Sequence, residues 1–328
     1  MNSFWQQYLL TLDADISTDQ QVIFNLSDTR ELGNFLHPIS HSGIIRVSGR
    51  DAVQLLQGQC TCNVKTLTTN TASFGAFCNP KGRVISTFIL LQHNIDYLLL
   101  LPQVLLTVIL KQLQKYILRS DVQLVDCSDQ YCLTGIQMGS HQNVPFEVPK
   151  AHLAIVQEPL LTLRLGETPA RFIVIAEGEP TVKLWSDLLA AQYQPQNSSN
   201  WELLDIRAGI PWLTAESSEA YIPQMLNLDQ LGGISFNKGC YTGQEIVART
   251  HYLGKAKRAM YLAEANMNQA PEVNTAIIDA ENQQVVGTIV ASHISEHLVT
   301  ALIVLTSEAS QLKDLYLQNH LNTPLTVL

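Results

Sequence analysis

The sequence is poor in charge and lacks the long apolar runs of membrane proteins. Of its 328 residues 15% are charged and 46% are hydrophobic, with a net charge of −9 and a pI near 5.4, whereas about a quarter of an average soluble domain is charged. The longest apolar runs, 97–102 and 104–110, are too short and interrupted to span a bilayer. The first seven residues have neither a basic flank nor a small-residue cleavage site. We therefore expect a folded, cytoplasmic protein.

The chain also lacks a dense run of lysine and arginine. An acidic surface repels the phosphates of nucleic acids unless a local basic patch exists. Direct tight binding of nucleic acid is therefore not expected.

The six cysteines and nine histidines form no familiar ligand pattern. Cys60 and Cys62 have no second pair at zinc-finger spacing, and Cys127 and Cys132 belong to separate predicted strands. Gly232-Gly233 is not followed by the Lys-Ser/Thr of a phosphate loop. We expect reduced cysteines in a chain of this size, and no metal site.

The order of predicted elements indicates an α+β protein of two or three domains. A strand at 43–47 precedes a helix at 52–58 and a hairpin at 73–92 that turns at Asn79-Pro80-Lys81-Gly82. A further strand, helix and strand follow, which together make a split β-α-β unit. Beyond Arg258 the pattern changes to short strands, typical of a small barrel or sandwich; they are predicted at 259–262, 276–278, 285–291 and 298–304.

The most informative stretch is 237–245, NKGCYTGQE. The spacing of Thr242 and Glu245 predicts a capping box at the start of a helix. Cys240 would then lie just ahead of the unpaired helix amides, where a thiol reacts as thiolate. The residues alone leave open a structural role for Cys240, since cysteine is a common small buried residue.

The run 238–245, KGCYTGQE, resembles the signature of the bacterial folate-binding, tRNA-modifying protein family. That family is related to the T-protein (aminomethyltransferase) of the glycine cleavage system and to a mitochondrial iron–sulfur assembly factor. The resemblance also covers 209–211, 222–228 and 231–236, and extends more weakly over most of the chain.

This resemblance implies an α+β fold with three domains around a central folate-binding cavity: two split β-α-β-type domains and a C-terminal β-barrel. The implied boundaries are a discontinuous folate-binding domain at 1–45 and 128–250, an inserted α+β domain at 46–127, and the barrel at 251–328.

The resemblance also implies a site. Cys240 is the candidate reactive thiol, and Trp201 is a candidate cavity wall that stacks on a pterin; packing of Trp201 between domains is the alternative. The candidate cofactor-binding residues are Trp201, Arg207, Lys238, Tyr241, Gln244 and Arg249.

Two positions depart from the T-protein pattern. Arg207 stands where T-protein relatives have a glutamate that pairs with the pterin amine. An arginine cannot accept that hydrogen bond, so the anionic glutamyl tail of the folate becomes the expected partner of Arg207. Ser86 and Thr87 stand where T-proteins have a catalytic aspartate, and a hydroxyl cannot replace a carboxylate base. Ordinary aminomethyl transfer should therefore be lost.

The implied function is a tetrahydrofolate-binding accessory protein for iron–sulfur cluster assembly or repair. Its partners would be a folate and iron–sulfur proteins such as tRNA-methylthiolation enzymes, so that it supports tRNA modification indirectly. Two alternatives stay open: a folate-dependent one-carbon transferase that uses Cys240, and a structural scaffold without a thiol function.

Overall fold

The computed structural model describes residues 1–25, 33–139, 144, 146–254, 256–311 and 314–328. Two compact units are built from three chain segments each. The first comprises Met1–Leu55, Lys65–Ser73 and Ile89–Trp201, and the second comprises Leu56–Val64, Phe74–Phe88 and Glu202–Leu328. No described helix is long and apolar enough to cross a membrane.

Runs of consecutive strands, separated by single helices, make up most of the described chain. The α-helices are α1 (Ser3–Thr11), α2 (Ala52–Gln59), α3 (Gln103–Ile117), α4 (Gly178–Ala190), α5 (Ser198–Arg207) and α6 (Gln244–Leu253). The strands are β1 (Ala14–Ile16), β2 (Val22–Phe24), β3 (Phe35–Pro38), β4 (Ser42–Ser48), β5 (Ala72–Cys78), β6 (Val84–His93), β7 (Asp96–Pro102), β8 (Gln123–Asp126), β9 (Cys132–Met138), β10 (Ile155–Val156), β11 (Leu161–Glu167), β12 (Ala170–Ala176), β13 (Gln194–Pro195), β14 (Arg258–Asn266), β15 (Ala276–Asp279), β16 (Val285–Ser295), β17 (Leu298–Thr306), β18 (Leu315–Leu317) and β19 (His320–Val327).

The first unit contains a six-stranded sheet with the order β10-β11-β12-β9-β3-β13. Strands β9 and β12 are buried at every position, as in a sheet covered on both faces. Helix α1 packs on α4, where Trp5 meets Trp185 edge to face at 5.0 Å. The indole of Trp185 donates a hydrogen bond to the Thr134 hydroxyl at 2.9 Å, so its polar atom is satisfied inside the core.

A five-stranded sheet has the order β5-β6-β7-β4-β8. Its chain order of strand, α2, three strands, α3 and strand confirms the predicted split β-α-β arrangement. The predicted turn is also confirmed. The Gly82 amide donates to the Asn79 carbonyl at 2.9 Å, and the Asn79 side chain accepts from the amides of Lys81 and Arg83. Gly82 has a φ of +69°, which favours glycine there.

The C-terminal part of the second unit is a closed barrel with the strand order β14-β17-β16-β15-β18-β19. Its interior is filled by aliphatic side chains such as Ile277, Ile289 and Ile303, each with no exposed surface. The four strands predicted beyond Arg258 fall within β14 to β17, and the predicted barrel is confirmed. Mixed α and β layers with this barrel make up the predicted α+β fold.

Candidate functional site

The loop that carries Cys240 lies along the segment 58–62 of the second unit. The buried Thr61 side chain donates to the Gly233 carbonyl at 2.6 Å and accepts from the Ala76 amide at 2.8 Å. The Ser235 amide donates to the Thr61 carbonyl at 2.9 Å. Thr61, which follows α2, therefore connects the segment just before the motif, at Gly233 and Ser235, with strand β5 at Ala76.

Lys238 is the main polar anchor of the loop. Its ammonium donates to the carbonyls of Cys60 and Cys62, both at 2.7 Å, and lies 5.0 Å above the ring of Tyr241. Burial lowers the pKa of Lys238, while Cys60 and Cys62 act in the opposite direction. The ammonium is thus fully occupied by two carbonyls and an aromatic face, and it holds the loop in place.

Two glycines allow the start of α6 to approach the 79–82 turn closely. A Cβ on Gly243 would lie 2.6 Å from the Asn79 carbonyl oxygen, and a Cβ on Gly82 would lie 2.8 Å from Ile246. Gly243 also has a φ of +85°. Both conditions exclude larger residues at Gly243 without a shift of the backbone.

The predicted capping box is wrong. Gly243 is the N-cap of α6, with no side-chain cap bond. The Thr242 hydroxyl donates instead to the Gln59 side chain at 3.2 Å, and its amide donates to the Gly58 carbonyl. The left-handed Gly243 separates Thr242 from the first helical turn, so Thr242 cannot reach the amide of Glu245.

The first turn of α6 uses its polar side chains locally. The Gln244 side chain accepts from the Tyr241 amide at 3.3 Å, which closes the loop onto the helix. The Arg249 guanidinium lies 3.2 Å from the Glu245 carboxylate, one turn earlier on the exposed helix face. Gln244 and Tyr241 are therefore part of the loop's support, and Arg249 lies on the surface.

Cys240 is the one exposed cysteine, and all six cysteines lie within the described residues. Burial raises the pKa of Cys78 to about 12 and that of Cys132 to about 11. Burial, followed by a hydrogen bond with Cys62, raises the pKa of Cys60 well above its ordinary value. The raised pKa values keep the thiols of Cys60, Cys78 and Cys132 protonated at neutral pH, whereas Cys240 is the cysteine whose side chain is exposed. Among the described residues, no group of three or more His, Cys, Asp or Glu side chains is placed to hold a metal ion.

Ser86 and Thr87 are buried, and their hydroxyls are occupied. The Ser86 hydroxyl donates to the Thr87 carbonyl at 2.9 Å, and the Thr87 hydroxyl donates to the Pro211 carbonyl at 2.6 Å. These contacts leave neither hydroxyl positioned as a general base.

Arg207 lines a groove of about 410 Å³ in the second unit. Its other walls come from the 208–209 turn, the 227–231 segment and strands β14 and β17, with Gln230 and Tyr261 as polar side chains. The Asn227 amide is already used, since it bonds to both backbone groups of Met260. Burial, opposed by Glu202 and assisted by Arg207, lowers the pKa of His293, which places the Arg207 charge close to His293.

Trp201 lies at the end of the first unit with 1% of its surface exposed. Its ring lies directly over Gly135, where a Cβ would collide with it. The Arg171 guanidinium lies 5.1 Å from the ring and His37 lies 5.5 Å from it. Its role as a cavity wall stays a prediction.

The structure brings Lys238, Cys240 and Tyr241 together in one loop that leads to Gln244, the first residue of α6, and places Arg249 further along the same helix. Arg207 lies in a separate groove, and Trp201 belongs to the other unit. Sequence reasoning missed Thr61, because its three partners are distant in sequence and nothing around it marks a site.

Comparison with known proteins places this geometry in a family. Residues 28–141 match the family model of the GCVT N-terminal domain. A tRNA-modifying protein YgfZ from Colwellia psychrerythraea is 37% identical over 268 residues, covering 79% of this chain and 81% of the relative. The YgfZ proteins of Hamiltonella defensa (36% identity; 72% of this chain and 71% of the relative) and Escherichia coli strain SE11 (33%; 75% and 77%) are also similar. The chain belongs to the YgfZ family.

A solved structure extends the likeness to the whole fold. The aminomethyltransferase T of the glycine cleavage system from Bartonella henselae has a TM-score of 0.77, covers all of this chain and 96% of its own, and is 14% identical. At that identity the likeness shows the fold alone. This YgfZ-family chain therefore has a T-protein-like fold. In that fold, the hydroxyls of Ser86 and Thr87 both donate hydrogen bonds to backbone carbonyls.

Proposed function

We propose that the protein is a tetrahydrofolate-binding accessory factor for iron–sulfur cluster assembly or repair. It supports tRNA modification, such as methylthiolation, through the cluster enzymes that carry it out. The names of its YgfZ relatives support a role in tRNA modification, and the T-protein fold supports folate as the ligand.

The observation that carries the proposal is the exposed Cys240 on an anchored loop. Thiolates are the usual protein ligands of iron–sulfur clusters, and a thiol that meets a partner's cluster must be accessible. Lys238 and Gln244 fix the loop on either side of Cys240. The factor would use Cys240 as a single ligand to cluster iron, with the cluster as cargo.

The groove at Arg207 would receive the anionic part of a folate. Its volume of about 410 Å³ lies within the range of roughly 300–1,000 Å³ for ligand pockets. Arg207 would hold a carboxylate of the glutamyl tail, with Gln230 and Tyr261 as further polar contacts. Bound tetrahydrofolate would supply one-carbon acceptor chemistry. For this role we keep the folate-binding domain at 1–45 and 128–250, the inserted domain at 46–127 and the barrel at 251–328 as proposed boundaries.

A second candidate is a folate-dependent one-carbon transferase that uses Cys240. The exposed thiol favours it, and the occupied hydroxyls of Ser86 and Thr87 disfavour the ordinary aminomethyl reaction. Incubation with tetrahydrofolate and an amine or formaldehyde donor separates the two candidates, since only the transferase converts the folate catalytically.

Calorimetry with tetrahydrofolate tests the ligand. We expect micromolar binding by the wild type, at least tenfold weaker binding by Arg207→Gln, and unchanged binding by Cys240→Ala. Arg119→Gln, a change at an exposed arginine of the first unit, is the matched control. Trp201→Phe tests the predicted cavity wall in the same titration. Equal binding by Arg207→Gln and the control would remove Arg207 from the site, and no binding by the wild type would remove folate from the proposal.

A further inference from the structure

The charge of the chain is unevenly distributed around α6. Between Glu245 and Glu264 there is no acidic residue, and the 18 residues in between hold four basic ones: Arg249, Lys255, Lys257 and Arg258. This segment therefore has a charge of +4, and the remainder of the chain has −9 − 4 = −13. The acidic balance that argues against nucleic acid binding does not apply to residues 246–263.

Three aromatic side chains cluster at the C-terminal end of α6, of which Phe236 is half-buried and His251 and Tyr252 are exposed. Phe236 and His251 stack in parallel at 3.7 Å with 12° between their planes. Tyr252 stands at 78° to the His251 ring, 4.8 Å away, and 63% of its surface is exposed. The next residue, Leu253, is 83% exposed. Large apolar side chains are seldom so exposed in a cluster unless they meet a partner.

Two of the basic side chains that neighbour this cluster in sequence, Arg249 and Lys257, are exposed to solvent. Lys257 is exposed and Arg258 is half-buried. Arg249 is paired with Glu245, but both side chains are largely exposed, and such a pair contributes little and is easily exchanged. Lys255 lies outside the described residues and enters only through its charge in the sequence.

We propose that the aromatic cluster of Phe236, His251 and Tyr252, together with Arg249 of α6 and Lys257 five residues beyond Tyr252, binds an unpaired segment of RNA. The positive charge favours a polyanionic ligand. The aromatic cluster then distinguishes between the possible polyanions, which are unpaired RNA, duplex RNA and acidic protein. Unpaired bases stack on aromatic side chains, whereas a duplex keeps its bases covered, and acidic polypeptides have few flat faces to stack. One surface with both features therefore matches single-stranded RNA better than an acidic protein. The loops of tRNA belong to this chemical class.

Fluorescence anisotropy with a labelled RNA hairpin tests the proposal on the full-length protein. The comparison ligand is a blunt RNA duplex of similar length, and both are titrated at low salt. We expect the wild type to prefer the hairpin and Tyr252→Ala to weaken hairpin binding about tenfold, which is the usual scale for loss of one stacked base. Lys257→Gln should weaken both ligands and lower the salt slope by about 1.

Matched controls come from α3 of the first unit. Tyr116→Ala removes another exposed tyrosine and Lys111→Gln another exposed lysine, and neither should change RNA binding. Thermal unfolding of each variant confirms that it is folded.

Three results would overturn the proposal. They are no saturable binding of the hairpin, equal binding of hairpin and duplex with no effect of Tyr252→Ala, and tighter binding of polyglutamate than of RNA, which would assign the surface to an acidic protein. All three leave the folate proposal untouched, because tetrahydrofolate binding is measured separately and at Arg207.

Discussion

Replacement of Lys238 by methionine tests the anchor of the Cys240 loop. Methionine keeps most of the apolar stem but removes the ammonium that donates to the Cys60 and Cys62 carbonyls at 2.7 Å. Both carbonyls would then lose a charged donor in a buried place. The loop would also lose the contact between the cation and the ring of Tyr241.

The expected loss follows from these contacts. A hydrogen bond to a charged group contributes about 1.5–3 kcal/mol, so two such bonds give roughly 3–6 kcal/mol. Part of this is offset, because burial of the ammonium is unfavourable, as its lowered pKa shows. We expect a net loss of about 2–4 kcal/mol, since the two terms oppose each other. At ~2–4 °C per kcal/mol, the unfolding midpoint should fall by roughly 4–16 °C.

Differential scanning calorimetry at pH 7 measures this midpoint. Lys257→Met is the control, because Lys257 is exposed and surface substitutions usually change stability by less than about 0.5 kcal/mol. If Lys238→Met melted together with Lys257→Met, the two carbonyl contacts would not be anchoring the loop, and the reasoning would fail.

Three further predictions concern the neighbouring residues and the first unit. Gly243→Ala should destabilise the protein by at least ~1–3 kcal/mol, because of its positive φ and the close Asn79 carbonyl; a change under 0.5 kcal/mol in urea unfolding would contradict this. Burial lowers the pKa of His37 from 6.5 to about 3, so between these values only the unfolded chain takes up the proton and stability falls as the pH falls. The wild type's advantage over His37→Gln should shrink by about 1.4 kcal/mol per pH unit below 6.5, and an advantage independent of pH would refute the buried neutral imidazole. Native alkylation with iodoacetamide should add one group, at Cys240, as shown by intact mass; a second fast adduct, or any fast adduct on Cys240→Ser, would show that another thiol is accessible.

The fold was largely predictable where local chemistry determines it. The turn at 79–82 has an asparagine and a glycine at the positions that a tight turn favours, and both residue types can be read from the sequence. In the structure the Asn79 side chain accepts from the Lys81 amide, and Gly82 has a positive φ. Helix α2 and the barrel strands follow from periodicity. The capping box failed because the pattern of Thr242 and Glu245 does not reveal the left-handed Gly243 between them.

The sequence identified the residues of the candidate site but not the contacts that hold its loop in place. The motif singled out Cys240 and Lys238, yet it indicated Lys238 as a cofactor-binding residue and not as the anchor of the loop. Its partners, the carbonyls of Cys60 and Cys62, are 178 and 176 positions away in sequence, and backbone carbonyls leave no signal in a sequence. The charge of residues 246–263 was visible in the sequence, whereas the stacking of Phe236 on His251 required the structure.

The central claim is that the Cys240 thiol supports cluster-dependent tRNA modification. It is tested most directly by measuring methylthiolated nucleosides in tRNA from cells that lack the native protein and produce either the wild type, Cys240→Ser or Cys240→Ala at equal levels. We expect the wild type to restore these nucleosides and both variants to leave them several-fold lower, although both variants fold and bind tetrahydrofolate. Full restoration by Cys240→Ala would contradict the claim and would favour a scaffold without a thiol function.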